Sequence, residues 1–149
     1  MKILCFDKYQ DKAFMEETGA QYVDFETLIR QSDFITIHSP FTPETKNLFS
    51  VEQFKVMKNT AVLVNTARGG IVDEDALFQA LQSGQIYGAG LDATILEPPF
   101  GSPLLEATNC ILTPHAGAAT VEAISKMSLM AAQNALDVLM NGSCKFSVN

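Results

Sequence analysis

The stretch Val62-Leu63-Val64-Asn65-Thr66-Ala67-Arg68-Gly69-Gly70-Ile71-Val72-Asp73 constrains the fold more than any other. An apolar run stops at small and polar residues, passes two glycines and leads into Glu74-Asp75-Ala76-Leu77. That order of residues makes a buried parallel strand, a tight turn and a helix capped by Asp73. In open α/β sheets ligands sit in the crevice outside the carboxyl ends of the strands. Arg68 stands at such an end, where it is placed to meet an anion.

Other segments repeat the pattern. Ile3 to Phe6 reads as a strand ending at Asp7, Tyr22-Val23 as a short strand, and Phe34 to Ile37 as a strand broken by His38-Ser39-Pro40. Ala61 to Asn65 is the central strand. Ile86 to Leu91 ends at Asp92, and Ile111-Leu112 ends at Thr113-Pro114-His115-Ala116-Gly117. Helices are expected over Asp11 to Thr18 with Gly19 as its stop, Glu26 to Gln31, and Glu74 to Gln82 stopped by Gly84. A further one follows Ser50, whose spacing to Gln53 is that of a capping box. A long helix spans Val121 to Met140 between Thr120 and Asn141-Gly142. Its stripe of Ile124, Met127, Ala131, Ala135 and Val138 is expected to pack in a core. The prolines of Glu97-Pro98-Pro99-Phe100-Gly101-Ser102-Pro103 make that segment a loop. Strands alternating with helices give an α/β fold with a mostly parallel, doubly wound sheet.

The 149 residues make one domain's worth of chain, enough to bury a core. A formal net charge of -7 argues against nucleic acid or an anionic membrane as partner, since either needs a basic face. No apolar run has the length of a membrane span, and the apolar start is too short for a signal peptide. Cys5, Cys110 and Cys144 are odd in number and lack C-x-x-C spacing. They read as reduced thiols of a cytoplasmic protein, not as a disulfide framework or a metal site.

Polar groups collect at the strand ends: Asp7, His38, Arg68, Asp92 and His115, with Glu97 in the loop beyond. Each has a plainer reading. Asp7 could be a solvated turn residue, His38 a hydrogen-bonded loop histidine, and Arg68 the partner of Asp73. Asp92 could be a cap, Glu97 merely exposed, and His115 satisfied by backbone. Their shared edge favours chemistry instead. A histidine beside a carboxylate holds its proton more strongly and can pass it to a carbonyl oxygen or take one from an alcohol. An arginine can fork onto a substrate carboxylate. An acid at a strand end suits the ribose hydroxyls of a dinucleotide, and its charge disfavours the extra phosphate of NADP.

Three segments together resemble the signatures of the D-isomer-specific 2-hydroxyacid dehydrogenases, and most closely the phosphoglycerate dehydrogenase-like members. They are Asn65 to Asp73, Gly90-Leu91-Asp92 with Glu97-Pro98, and Leu112 to Gly117, and the likeness runs from Asp7 to Val148-Asn149. The resemblance implies a Rossmann-like NAD-binding domain and hydride transfer between nicotinamide and a small 2-hydroxy or 2-keto acid. It makes Arg68 the substrate-binding arginine, Glu97 the carboxylate partner and His115 the acid/base. Asp7 would take the adenosine ribose, and His38, Ser39, Pro40 and Thr45 would line the cofactor. Thr66, Ala67, Arg68, Asp92, His115 and Gly117 would surround the nicotinamide.

The chain departs from that family at its front. It opens on the second strand of the dinucleotide fold, without the first strand and its G-x-G-x-x-G turn, and most of the substrate domain is absent. Residues 1–149 therefore read as a partial NAD-binding domain that binds nucleotide weakly. Two expectations follow: a dehydrogenase completed by an upstream fragment, or a non-catalytic remnant or interaction module of the same fold. Two apolar strand edges, Ile3 to Phe6 and Phe34 to Ile37, are left flanking a vacant position. The expected remedies are direct pairing of those edges, a homodimer exchanging elements, or binding of the upstream fragment, and the homodimer is the one expected for the chain on its own.

Overall fold

The computed structural model of the chain describes residues 1–147; Val148 and Asn149, where the likeness ends, lie outside the described residues. It divides into a first unit, Met1–Pro114, and a second that begins at His115.

The first unit contains six strands: β1 (Leu4–Cys5), β2 (Gln21–Tyr22), β3 (Phe34–Ile37), β4 (Val62–Asn65), β5 (Gly88–Leu91) and β6 (Cys110–Leu112). Its helices are α1 (Lys12–Thr18), α2 (Phe25–Gln31), α3 (Val51–Val56) and α4 (Glu74–Gln82), with a 3₁₀ turn at Pro103–Glu106. All pairing is parallel. β3-β4-β5-β6 form one sheet, and β1 pairs only with β2 in a second. The two edges that the sequence leaves flanking a vacant position have therefore not paired directly.

Local chemistry explains the boundaries. Asp11, Asp24 and Asp73 accept hydrogen bonds from the N–H groups of Phe14, Thr27 and Ala76, and so cap α1, α2 and α4. Gly19 ends α1 at φ 67°, a left-handed conformation that costs glycine little. Ahead of α3 the N–H of Ser50 donates to the Gln53 carboxamide at 3.1 Å, while the Ser50 hydroxyl reaches Asp73 at 3.3 Å.

The core lies on one face of the larger sheet. Ile35, Leu63, Ala89 and Leu91 point to that side and bury against Ile29 of α2, Phe54 of α3, and Leu77 and Leu81 of α4. Alternate residues point to the other face, where Phe34 and Ile111 are exposed. Phe25 joins the smaller sheet to this core, its ring 5.3 Å from Phe6 and 5.5 Å from Phe49.

The second unit is built on one helix, α5 (Val121–Asn141), capped by the Thr120 hydroxyl and closed at Gly142. None of its residues is buried, which corrects the expected core stripe: Ile124, Met127 and Val138 are each about half exposed. A unit with a single helix has no second element against which to bury an apolar stripe. No helix among the described residues is long and apolar enough to cross a membrane.

All three cysteines are thiols. Burial, reinforced by the nearby negative charge of Glu74, pushes the Cys110 thiol up to about 11. The thiolate is the nucleophile, so at pH 8 this thiol is protonated and unreactive. Peptide mapping after brief iodoacetamide treatment at pH 8 should find Cys110 unmodified in the native chain and alkylated in urea. Equal modification in both would contradict this placement.

Candidate active site

Register builds the edge on which the polar residues meet. Ile37, Asn65, Leu91 and Leu112 are aligned across the four strands, so His38, Thr66, Asp92 and Thr113 leave the sheet side by side. The alignment continues past the strands: the N–H of Asp92 donates to the Asn65 carbonyl at 2.9 Å, and that of Thr113 to the Leu91 carbonyl at 3.0 Å. The Thr113 hydroxyl then donates to the Asp92 carboxylate at 2.6 Å, fixing that side chain at the edge.

Asn65 shapes the turn that carries Arg68. Its side chain is fully buried, and both ends of the carboxamide are used. The amide nitrogen donates to the Arg68 carbonyl at 2.9 Å, and the oxygen accepts from the Ala67 N–H at 3.0 Å. The exposed Arg68 guanidinium donates to the Ala67 carbonyl at 2.7 Å. Asp73, its candidate ion-pair partner, is instead turned to the N-terminus of α4. A cleft of about 610 Å³ is lined by His38, Ser39, Pro40, Phe41, Ala67 and Arg68, bringing together the loops after β3 and β4.

The neighbouring loop is held by Glu74. This buried carboxylate accepts from the Ile95 N–H at 2.6 Å and from the Ser102 hydroxyl at 2.7 Å. It ties both ends of the Glu97 loop to the first turn of α4. Glu97 is exposed, and its carboxylate also accepts from the Thr94 N–H at 3.4 Å. Gly69 allows the two loops to meet, since a Cβ there would lie 2.0 Å from the Thr94 carbonyl oxygen. Asn65, Gly69 and Glu74 are positioning residues that the sequence reading passed over. The signal was a polar residue ending an apolar strand and an acid opening an apolar helix face.

The remaining candidates are placed as follows. Asp7 follows β1, exposed, and accepts from the Tyr9 N–H at 2.9 Å, an Asx-type turn. His38 Nε2 lies 2.9 Å from the Thr36 hydroxyl. The Thr45 hydroxyl donates to the Pro40 carbonyl at 2.7 Å and accepts from the Thr42 N–H at 2.8 Å, so it braces the loop that carries Ser39 and Pro40. Thr66 is exposed. His115 and Gly117 belong to the second unit; His115 is exposed and adopts φ 51°, the left-handed region unusual for a side chain of its size.

A larger cleft, about 800 Å³, opens at the opposite end of the sheet between residues such as Asn59, Tyr87, Gly88 and Asn109. It has no charged side chain in its lining, whereas the cleft at the carboxyl edge is lined by Arg68.

Residues 1–117 match the family model described as the D-isomer specific 2-hydroxyacid dehydrogenase NAD binding domain. The chain belongs to this family. It is 45% identical over 134 residues to a glyoxylate reductase of Thermococcus litoralis, covering 90% of this chain and 40% of that protein. It is 42% identical over 149 residues to a D-3-phosphoglycerate dehydrogenase of Synechocystis, covering all of this chain and 27% of the relative. The chain thus spans well under half the length of these curated relatives. Among solved structures, a glyoxylate reductase from Paecilomyes thermophila superposes with a TM-score of 0.89 at 32% identity, covering 99% of this chain and 45% of that one. The NAD-complexed D-isomer specific 2-hydroxyacid dehydrogenase of Lactobacillus delbrueckii ssp. bulgaricus gives 0.85 at 31%, covering 99% and 48%. The fold is Rossmann-like, and the domain is NAD-binding.

Removing Glu74 leaves the Ile95 N–H without its anionic acceptor, and charged hydrogen bonds are worth about 1.5–3 kcal/mol each. Glu74→Ala is expected to lower urea-unfolding stability by about 2 kcal/mol or more, and Glu74→Gln by less. Gly69→Ala forces backbone apart and should cost at least about 1–3 kcal/mol. Wild-type midpoints in both Ala variants would contradict the loop clamp.

Proposed function

We propose that the whole protein containing these residues is an NAD-dependent oxidoreductase acting on a small 2-hydroxy or 2-keto acid. The observation that carries this reading is the carboxyl edge itself. An arginine, a carboxylate-bearing loop and a cleft between the loops after β3 and β4 stand at aligned strand ends of an NAD-binding fold. The residues fit the cofactor. Asp7 offers carboxylate oxygens to ribose hydroxyls, and the cleft beside Ser39 and Ala67 has room for a flat ring. His38, Ser39, Pro40 and Thr45 form and brace one side of that cleft; Thr66, Ala67, Asp92 and Gly117 would border the nicotinamide. When bound, NAD supplies the hydride acceptor or donor.

The chain's own residues do the rest. Arg68 holds the substrate carboxylate through a forked, charge-assisted contact that fixes the carbonyl carbon for hydride transfer. His115 gives a proton to the carbonyl oxygen in reduction and removes one from the hydroxyl in oxidation. Glu97 is the carboxylate partner in the same proposed acid/base role. The left-handed backbone at His115 supports such a role, because strained backbone concentrates at functional sites. A cytoplasmic setting belongs to the same reading, from the odd number and wide spacing of the cysteines. A homodimer, or an assembly with a further fragment of the same enzyme, is the form proposed for activity. A non-catalytic module is the alternative, and the kinetics below separate the two.

In the full-length protein, Arg68→Ala should raise KM for the acid at least tenfold and lower kcat. His115→Ala should cut kcat by about 10²–10⁴, the usual worth of general acid–base catalysis. Glu97→Gln, which keeps the size of the side chain and removes its charge, should lower kcat at least tenfold. Unaltered rates in all three would refute the assignment and leave the module.

Asp7 also governs cofactor choice. Calorimetry should find NAD bound more tightly than NADP, with Asp7→Ala narrowing the gap. Equal binding of both nucleotides by the unsubstituted protein would contradict that role.

A further inference from the structure

Phe41 is a large apolar side chain held half in solvent, in the cleft that Arg68 also lines. The loop that carries it is braced on both sides of that one residue. The Thr45 hydroxyl donates to the Pro40 carbonyl at 2.7 Å and accepts from the Thr42 N–H at 2.8 Å. Pro40 and Thr42 are the chain neighbours of Phe41, so a single hydroxyl clasps the backbone at the point where the ring leaves it.

The ring is also seated on the turn that carries Arg68. A Cβ at Gly70 would lie 2.9 Å from Cε2 and 3.4 Å from Cζ of Phe41, so the ring edge fills the space that a side chain there would need. Gly70 itself has φ 80°, which glycine adopts at little cost. Its carbonyl accepts from the Asn47 N–H at 2.8 Å, and the Phe49 N–H donates to the Ile71 carbonyl at 3.2 Å. The Phe41 loop and the Arg68 turn are thus laced together, and the ring keeps one place beside the arginine's backbone. An exposed aromatic side chain is ordinary by itself. A braced one, sharing a cleft with an arginine, makes an apolar wall next to an anion-binding group.

We infer that Phe41 is a specificity-determining residue. It is the wall against which the substituent of a 2-keto acid lies, and it selects uncharged, apolar substituents over those that carry a second anion. The inference deepens the proposed function and rests on its assignment of Arg68 to the substrate carboxylate. With the carboxylate at Arg68, an apolar substituent turned to the ring leaves water and gains apolar contact. A phosphate in the same place would give up hydration for a ring whose face is electronegative, an exchange that costs free energy. The wall therefore separates 2-ketobutyrate from 3-phosphohydroxypyruvate, two acids that share the reacting carbonyl and the carboxylate and differ in the substituent.

Two measurements on the full-length protein test this. In the first, kcat/KM is compared for 2-ketobutyrate and 3-phosphohydroxypyruvate. The unsubstituted protein should prefer 2-ketobutyrate, and Phe41→Ala should lower that preference at least about tenfold, the scale of a lost apolar contact in a specificity pocket. Phe41→Leu, which keeps an apolar wall, should retain most of it. In the second, the protein is labelled with para-fluorophenylalanine, and the position-41 fluorine signal is identified by its loss in Phe41→Leu. That signal should shift saturably with 2-ketobutyrate and stay still in Arg68→Ala. A preference for the phosphorylated acid, an unchanged preference in Phe41→Ala, or a silent position-41 signal would overturn the wall. Turnover of neither acid would count against the proposed function, and the fluorine signal would then decide the wall by itself.

Discussion

The polar edge that carries His38, Thr66, Asp92 and Thr113 depends on one constraint, the common register of β3, β4, β5 and β6. Because Ile37, Asn65, Leu91 and Leu112 lie on one line, each strand releases its next residue at the same level. A one-residue slip in any strand would turn its buried side chains to the other face. It would also displace the Asp92-to-Asn65 bond that continues the ladder into the loops. The apolar face that packs against α2, α3 and α4 therefore also holds the polar edge in position.

A second level of order is made by polar side chains that are themselves buried. Asn65 spends both ends of its carboxamide on the backbone of Ala67 and Arg68, and Glu74 spends both oxygens on the Glu97 loop. Gly69 lets those two loops approach to a distance at which no side chain fits. A guanidinium or carboxylate on an exposed loop would sample many positions. Here the exposed groups stand on backbone fixed by satisfied, buried bonds. The same organisation leaves the opposite, wider cleft without charge, so its size does not make it the better candidate.

Much of this was legible in the sequence. β3 and α4 occupy the spans that their apolar periodicity marks, because Ser32-Asp33 and Asp73 interrupt or cap cleanly at one end and His38 and Ser83-Gly84 at the other. The strand-end residues were legible as a group for the same reason: Asp7, His38 and Asp92 directly follow an apolar run, and Arg68 and His115 stand three residues beyond one. The role of Glu74 was not, since an acid in the first turn of a helix looks like an ordinary response to the helix dipole. The 3₁₀ turn at Pro103–Glu106 was hidden by the prolines that precede it, although Pro103 suits its first position. Helix α5 was read correctly as a helix and wrongly as a core element. An amphipathic stripe records what a helix can bury, not whether a partner is within its own unit.

The central claim is that the carboxyl edge of the sheet, and not its amino edge, is where the nucleotide meets this chain. Amide shifts of the labelled chain during titration with millimolar NAD test it most directly. The largest changes should fall at Asp7, His38, Ser39, Ala67, Arg68 and Asp92, with Asn59, Gly84, Tyr87 and Asn109 unmoved. Shifts centred on the latter four, with the Arg68 turn silent, would contradict the account.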